Sequence, residues 1–134
     1  MTTRGLAHIN FRAQRGMLDA LKDFYCDIVG LQAGTRPPFG EFGYWLYAQG
    51  QPVVHLSEAG RHEPPAQAGA TTFNHIAFAC EDSGAVEALL RSRSIQYRKT
   101  AVPATAQVQF FLSDPAGNKV ELNFTDPDQF TDRK

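Results

Sequence analysis

Cysteine is scarce in this chain: Cys26 and Cys80 are the only two among 134 residues. A chain of this length can bury a core without a disulfide framework, so both are expected as free thiols in the packed interior. Long apolar runs are missing as well. No stretch approaches the roughly 18 residues needed to span a bilayer, and the start, MTTRGLAHINF, lacks the apolar centre of a secretory signal. The cytoplasm is therefore the expected location, with no membrane partner. Neither sign of charge dominates, with 13 Lys and Arg against 14 Asp and Glu and no long basic run. That excludes an electrostatic footprint for nucleic acid and leaves a small-molecule substrate as the expected partner. Apolar residues at 43% and charged residues at 20% fit an ordinary globular chain, so neither disorder nor a fibrous class is indicated. One folding unit covering 1–134 is expected.

What the chain does contain is a repeat. AHINF at 7–11 returns as NHIAF at 74–78, and VVHLSE at 53–58 is matched by KVELNF at 119–124. His8 and His75 are 67 residues apart, and His55 and Glu121 are 66 apart. Between these segments the apolar positions Met17, Leu18, Leu21, Phe24, Tyr25 and Ile28 recur at helical spacing, as do Val86, Leu89 and Leu90. Gly30 and Ser94 then stand in corresponding places. Each half reads as strand, helix and three strands, a paired βαβββ arrangement of α+β class. The later strands fall near 31–36, 42–49 and 51–57 in module one (about 5–57), and near 95–101, 106–113 and 119–125 in module two (about 72–125). SDPAGNK at 113–119 predicts a hairpin turn, and 58–71, rich in Pro, Gly and Ala, predicts the linker.

Strand alternation sorts the side chains by face. Ala7, Ile9 and Phe11 oppose Leu6, His8 and Asn10; Asn74, Ile76 and Phe78 oppose His75, Ala77 and Ala79. Val54 and Leu56 separate from His55, and Val120, Leu122 and Phe124 separate from Glu121. The bulky sets are expected under the helices, which turns His8, His55, His75 and Glu121 to the opposite face of the sheets. Small Ala77 and Ala79 leave room there for a concave pocket. Neutral imidazoles with one carboxylate suit a divalent ion such as Fe, Mn, Ni or Zn and not calcium. His62, beside Arg61, Glu63 and Pro64 in the linker, is expected to be solvated and outside the site.

These residues resemble the vicinal oxygen chelate superfamily, which includes glyoxalase I, bleomycin-resistance proteins, fosfomycin-resistance transferases, methylmalonyl-CoA epimerase and extradiol dioxygenases. The resemblance rests on HINF, on LKDFYCDIVGL at 21–31, on NHIAF and on FLSDPAGNKVEL at 111–122. It implies a glyoxalase/bleomycin resistance/dioxygenase fold with curled mixed sheets around a divalent metal that substrate oxygens help to coordinate. It also implies His8, His55, His75 and Glu121 as ligands, and a homodimer in which His8 and His55 of one subunit face His75 and Glu121 of the other.

The departure from the family pattern is His55, where glyoxalase I and the epimerases usually carry Glu or Gln. A carboxylate there can leave the metal and take a proton; with His55, Glu121 is the remaining anionic base. Alternatively, His8, His75 and Glu121 form the set of two His and one carboxylate used with Fe(II), and His55 acts as an acid or base. Glu121 and His55 are thus the candidate catalytic residues. The segment TRPPFGEFGYWLY at 35–47 is dense in aromatics. Phe39, Tyr44, Trp45 and Tyr47 are candidates for an apolar wall, Arg36 for meeting a carboxylate, and Gln109 and Phe111 for the cavity side of their strand. The leading expectation is a metal-dependent enzyme binding adjacent oxygens of a small organic substrate, either a glyoxalase-type lyase or isomerase or a ring-cleaving-type dioxygenase. A fosfomycin-type thiol transferase and a non-catalytic drug- or metabolite-binding protein are the alternatives.

Overall fold

A computed structural model describes residues 1–64, 71–102, 104 and 107–125. Two compact units divide the chain, Met1–Ala70 and Thr71–Lys134. Residues 65–70 of the expected linker and residue 106 of an expected strand lie outside the described residues.

The first unit runs β1 (Ile9–Ala13), α1 (Arg15–Asp27), β2 (Gln32–Gly34), β3 (Gly43–Ala48) and β4 (Gln51–Glu58). The second runs β5 (His75–Cys80), α2 (Ser83–Ser92), β6 (Arg98–Val102), β7 (Gln107–Ser113) and β8 (Lys119–Phe124). Each forms a mixed four-stranded sheet, ordered β1-β4-β3-β2 and β5-β8-β7-β6. The first strand lies parallel to the last, and the remaining pairs are antiparallel. The repeat of strand, helix and three strands is thus present in both units.

Both helices are followed by a residue of left-handed φ. Gly30 takes a left-handed φ of 91°, and Leu31 N–H then reaches back to the Tyr25 carbonyl at 2.9 Å. Ser94 takes φ 54°, and Ile95 N–H reaches the Leu90 carbonyl at 2.9 Å. These long back-bonds satisfy carbonyls that a helix end otherwise leaves open. The β3–β4 hairpin turns on Gln49 and Gly50, both at positive φ, as a two-residue turn that matches strand twist requires. At the β7–β8 turn the buried Asp114 organises the backbone: its Oδ1 accepts from Ala116 and Asn118 N–H, each at 2.9 Å.

The core follows the alternation. Leu46, Val54 and Leu56 are fully buried with Leu18 and Tyr25 of α1, and Phe110, Val120, Leu122 and Phe124 are fully buried in the second unit. Phe11 stacks on Tyr25 with ring centroids 5.5 Å apart, which places the Ile9 and Phe11 side of β1 toward α1. Cys26 and Cys80 form no disulfide and are only half-buried. Their expected place in the packed interior is corrected: Cys26 sits at the edge of the buried stripe of α1, and Cys80 is the last residue of β5. No helix of the described residues is long and apolar enough to cross a membrane.

Candidate metal centre

In the first unit the parallel pairing sets Asn10 of β1 opposite His55 of β4. His8, two residues back along the chain, shares the face of Asn10, and its ring stacks on His55 with centroids 3.8 Å apart and planes 13° from parallel. Trp45, paired with His55 across β3 and β4, covers the other side of the ring at 4.1 Å. His55 is thus held between His8 and Trp45. Its Nε2 lies 3.1 Å from the Pro52 carbonyl, so Nε2 carries the hydrogen and Nδ1 keeps its lone pair. Burial first, and the neighbouring charge of His8 second, hold the His55 pKa below its ordinary value. A neutral imidazole is the form that ligates a metal.

Phe39, Trp45, His8 and His55 line a cavity of about 650 Å³. Phe39, Trp45 and His55 also border a recess of about 160 Å³ that Arg36, Asn10 and Ser57 complete. Arg36 meets a carboxylate, but an internal one. It donates to the Glu41 carbonyl at 2.8 Å, stands 3.7 Å from the Glu41 carboxylate and lies over the Phe39 ring. Gly43 makes this position possible, because a Cβ there would fall 2.8 Å from the Arg36 guanidinium and 2.2 Å from the Leu56 carbonyl.

Two of the expected wall residues are placed elsewhere. Tyr44 alternates with Trp45, faces α1 and donates its hydroxyl to Asp19 at 2.7 Å, so it is not part of the cavity wall. Tyr47 lies over Gly34 and gives its hydroxyl to the Thr35 carbonyl; it closes onto β2 and lines neither cavity.

In the second unit Ala77 pairs with Glu121 and Phe111 pairs with Glu121 from the other side. His75 lies two residues before Ala77 on the same face. Its Nδ1 donates to Asn74 Oδ1 at 2.8 Å, and its Nε2, which carries the lone pair in the neutral ring, lies 3.5 Å from Glu121 Oε1. Glu121 is 6% exposed, and its other carboxylate oxygen accepts from Asn123 Nδ2 at 3.0 Å. The ring of Phe111 meets His75 edge-on at 6.1 Å, while Gln109, one row further along the same face, accepts from the Thr100 hydroxyl at 2.8 Å.

A divalent ion fits this pair. Bonded at about 2.1 Å to one nitrogen and one oxygen with a near-tetrahedral angle, it would separate them by about 3.4 Å, against the observed 3.5 Å. Asn74 and Asn123, not singled out from the sequence, are the outer partners that such ligands normally have. Alternation places Asn123 on the face of Glu121, but its bond to the carboxylate is visible only in three dimensions. Among the described residues no group of three or more His, Cys, Asp or Glu side chains converges on one point; each unit carries two of the four expected side chains.

Two βαβββ units with histidine and glutamate side chains on the helix-free faces are the pattern of the vicinal oxygen chelate class. The chain belongs to the Glyoxalase/Bleomycin resistance protein/Dioxygenase superfamily, whose family model matches residues 5–122. It is 32% identical over 106 residues to the uncharacterised protein YaeR of Escherichia coli K12, covering 75% of this chain and 82% of that one. Among solved structures it resembles a glyoxalase/dioxygenase from Nostoc punctiforme, with TM-score 0.69, 20% identity and 90% of each chain covered. The lactoylglutathione lyase of Agrobacterium tumefaciens aligns with TM-score 0.63 and 20% identity over 98% of this chain and 99% of that one. At such identities the two structures speak for the fold alone.

Proposed function

We propose that this protein is a divalent-metal-dependent enzyme that holds a small organic substrate through adjacent oxygens. The observation that carries the reading is the pair His75 Nε2 and Glu121 Oε1: two acceptors 3.5 Å apart, each oriented by an asparagine. Two donors rarely retain a catalytic ion, for which three or four are the rule. A homodimer supplies them, with His8 and His55 of one copy joining His75 and Glu121 of a second. When bound, the ion would polarise the substrate oxygens as a Lewis acid.

The chain's own groups favour the lyase or isomerase type. Glu121 is a buried carboxylate within the ligand set and serves as the anionic base when it leaves the ion, while burial disfavours the charged form of His55. Proton transfer next to a carbonyl needs one such base. Protein purified without chelators is expected to carry nickel or zinc, to lose turnover when stripped and to regain it on reloading. H75A and E121Q should fail to retain the ion. Fe(II) with oxygen uptake would move the reading to the dioxygenase type, and full turnover by stripped protein would end it.

A further inference from the structure

The metal-facing side of the second sheet carries a cation that the ligand set does not use. Arg98 of β6 pairs with Phe111, which pairs with Glu121, which pairs with Ala77. These four residues form one row across the sheet. The Arg98 guanidinium lies over the Phe111 ring, 4.7 Å from its centroid, and the same ring touches His75. Arg98 is therefore turned to the ligand side, two strands or about 10 Å along the row from Glu121.

Its neighbours are treated differently. Lys99, the next residue, turns to the α2 side and binds Glu87 at 3.2 Å. Arg91 also faces Glu87, at 3.7 Å. Both of these cations share one carboxylate. Arg98 has no carboxylate partner among the described residues, and it is exposed on a face whose Ala77 and Ala79 are exposed too. The next row adds Gln109, whose amide oxygen is occupied by the Thr100 hydroxyl, leaving its N–H donors available. One end of the face thus offers an acceptor pair for a cation, the other a guanidinium for an anion, and the flat Phe111 ring lies between.

We propose that Arg98 is the specificity residue for a substrate carboxylate, so that the natural substrate pairs metal-chelating oxygens at one end with a carboxylate about three carbons beyond them. This rests on the metal-enzyme reading for the chelating end only. A guanidinium stacked on an aromatic ring is held ready for a bidentate carboxylate contact.

The test compares 2-oxoglutarate with 2-oxopentanoate, which share the chelating end and differ in the distal carboxylate. Calorimetry is run on zinc-loaded wild type, Arg98→Met and Lys119→Met, with the zinc content of each measured first. Lys119 is the other cation on this face among the described residues, paired with His75. Wild type is expected to prefer 2-oxoglutarate by about 10-fold. In Arg98→Met the preference should fall to about 1, with 2-oxopentanoate affinity and zinc content unchanged. A preference that is absent in wild type, survives in Arg98→Met, or disappears equally in Lys119→Met overturns the proposal, as does binding of neither acid by zinc-loaded protein. Failure of wild type to hold zinc overturns the metal reading instead. The role of Arg98 is then decided on the metal-free chain by glutarate against pentanoate, where loss of the preference in Arg98→Met supports it and any other result overturns it.

Discussion

Trp45 lies flat against His55, with ring centroids 4.1 Å apart and planes 10° from parallel, and it is the chain's only tryptophan. Its emission therefore reports on one imidazole. Titrating metal-free protein with nickel or cobalt should quench this emission with the stoichiometry of metal binding, because both ions are paramagnetic and His55 is in contact with the indole. H55A should bind any residual metal without the quench. If H55A quenched as strongly as wild type, His55 would not be a ligand.

Asn123 holds Glu121 at 3.0 Å and touches no proposed substrate position. Removing such an outer partner typically lowers metal affinity by about 10- to 100-fold. Asn123→Ala should show that loss in a competition titration with a chromogenic chelator, while its urea midpoint stays near that of wild type. Unchanged affinity would mean that the carboxylate is oriented by its burial alone.

The core and the helix-free face that carries the three histidines and Glu121 were legible in the sequence because one face of each strand is apolar and the other is not. In VVHL and KVEL the contrast between successive residues is large, and period two sorts it unambiguously. Where the contrast vanishes, so does the information. GYWLY in β3 is aromatic or apolar throughout, so Tyr44 and Trp45 look alike until Asp19 of α1 is found beside one and His55 beside the other. Arg98 and Lys99 pose the same problem with charge: only the place of Glu87 on α2 separates the bound lysine from the open arginine.

The placement of Tyr44 has a direct consequence. Its hydroxyl ties β3 to α1 through Asp19, so Tyr44→Phe should cost about 0.5–1.5 kcal/mol of stability and leave metal affinity untouched. Chemical denaturation and the chelator competition, run on one sample, test both halves. A loss of metal affinity without loss of stability would return Tyr44 to the ligand side.

Gly43 is required by its neighbours and not by its own backbone angles. An added methyl would meet the Leu56 carbonyl at 2.2 Å and the Arg36 guanidinium at 2.8 Å. The side chain of Arg36 can move, but a carbonyl within the β3–β4 ladder cannot move freely. Gly43→Ala should therefore destabilise by about 1–3 kcal/mol, the usual range for overpacking. The urea midpoint measures it, and a midpoint unchanged from wild type would show that the two strands can part locally.

Glu87 binds three groups at once. It accepts from the Tyr97 hydroxyl at 2.7 Å and from Lys99 at 3.2 Å, and it faces Arg91. The Tyr97 hydrogen bond, followed by the Lys99 contacts, holds its pKa below the ordinary value of 4.5, with burial acting in the opposite sense. The folded state therefore binds this proton more weakly than the unfolded state does. Its contribution to stability is fully present above pH 4.5 and is lost as the pH falls through the lower folded value. Glu87→Gln should cost about 1 kcal/mol at pH 7, given partial screening by solvent. The gap between variant and wild type should then shrink steadily below pH 4.5. Denaturation midpoints across that range test the sign as well as the size. A gap that stayed constant down to pH 3 would mean that hydrogen-bond geometry, and not the charge on Glu87, joins α2 to β6.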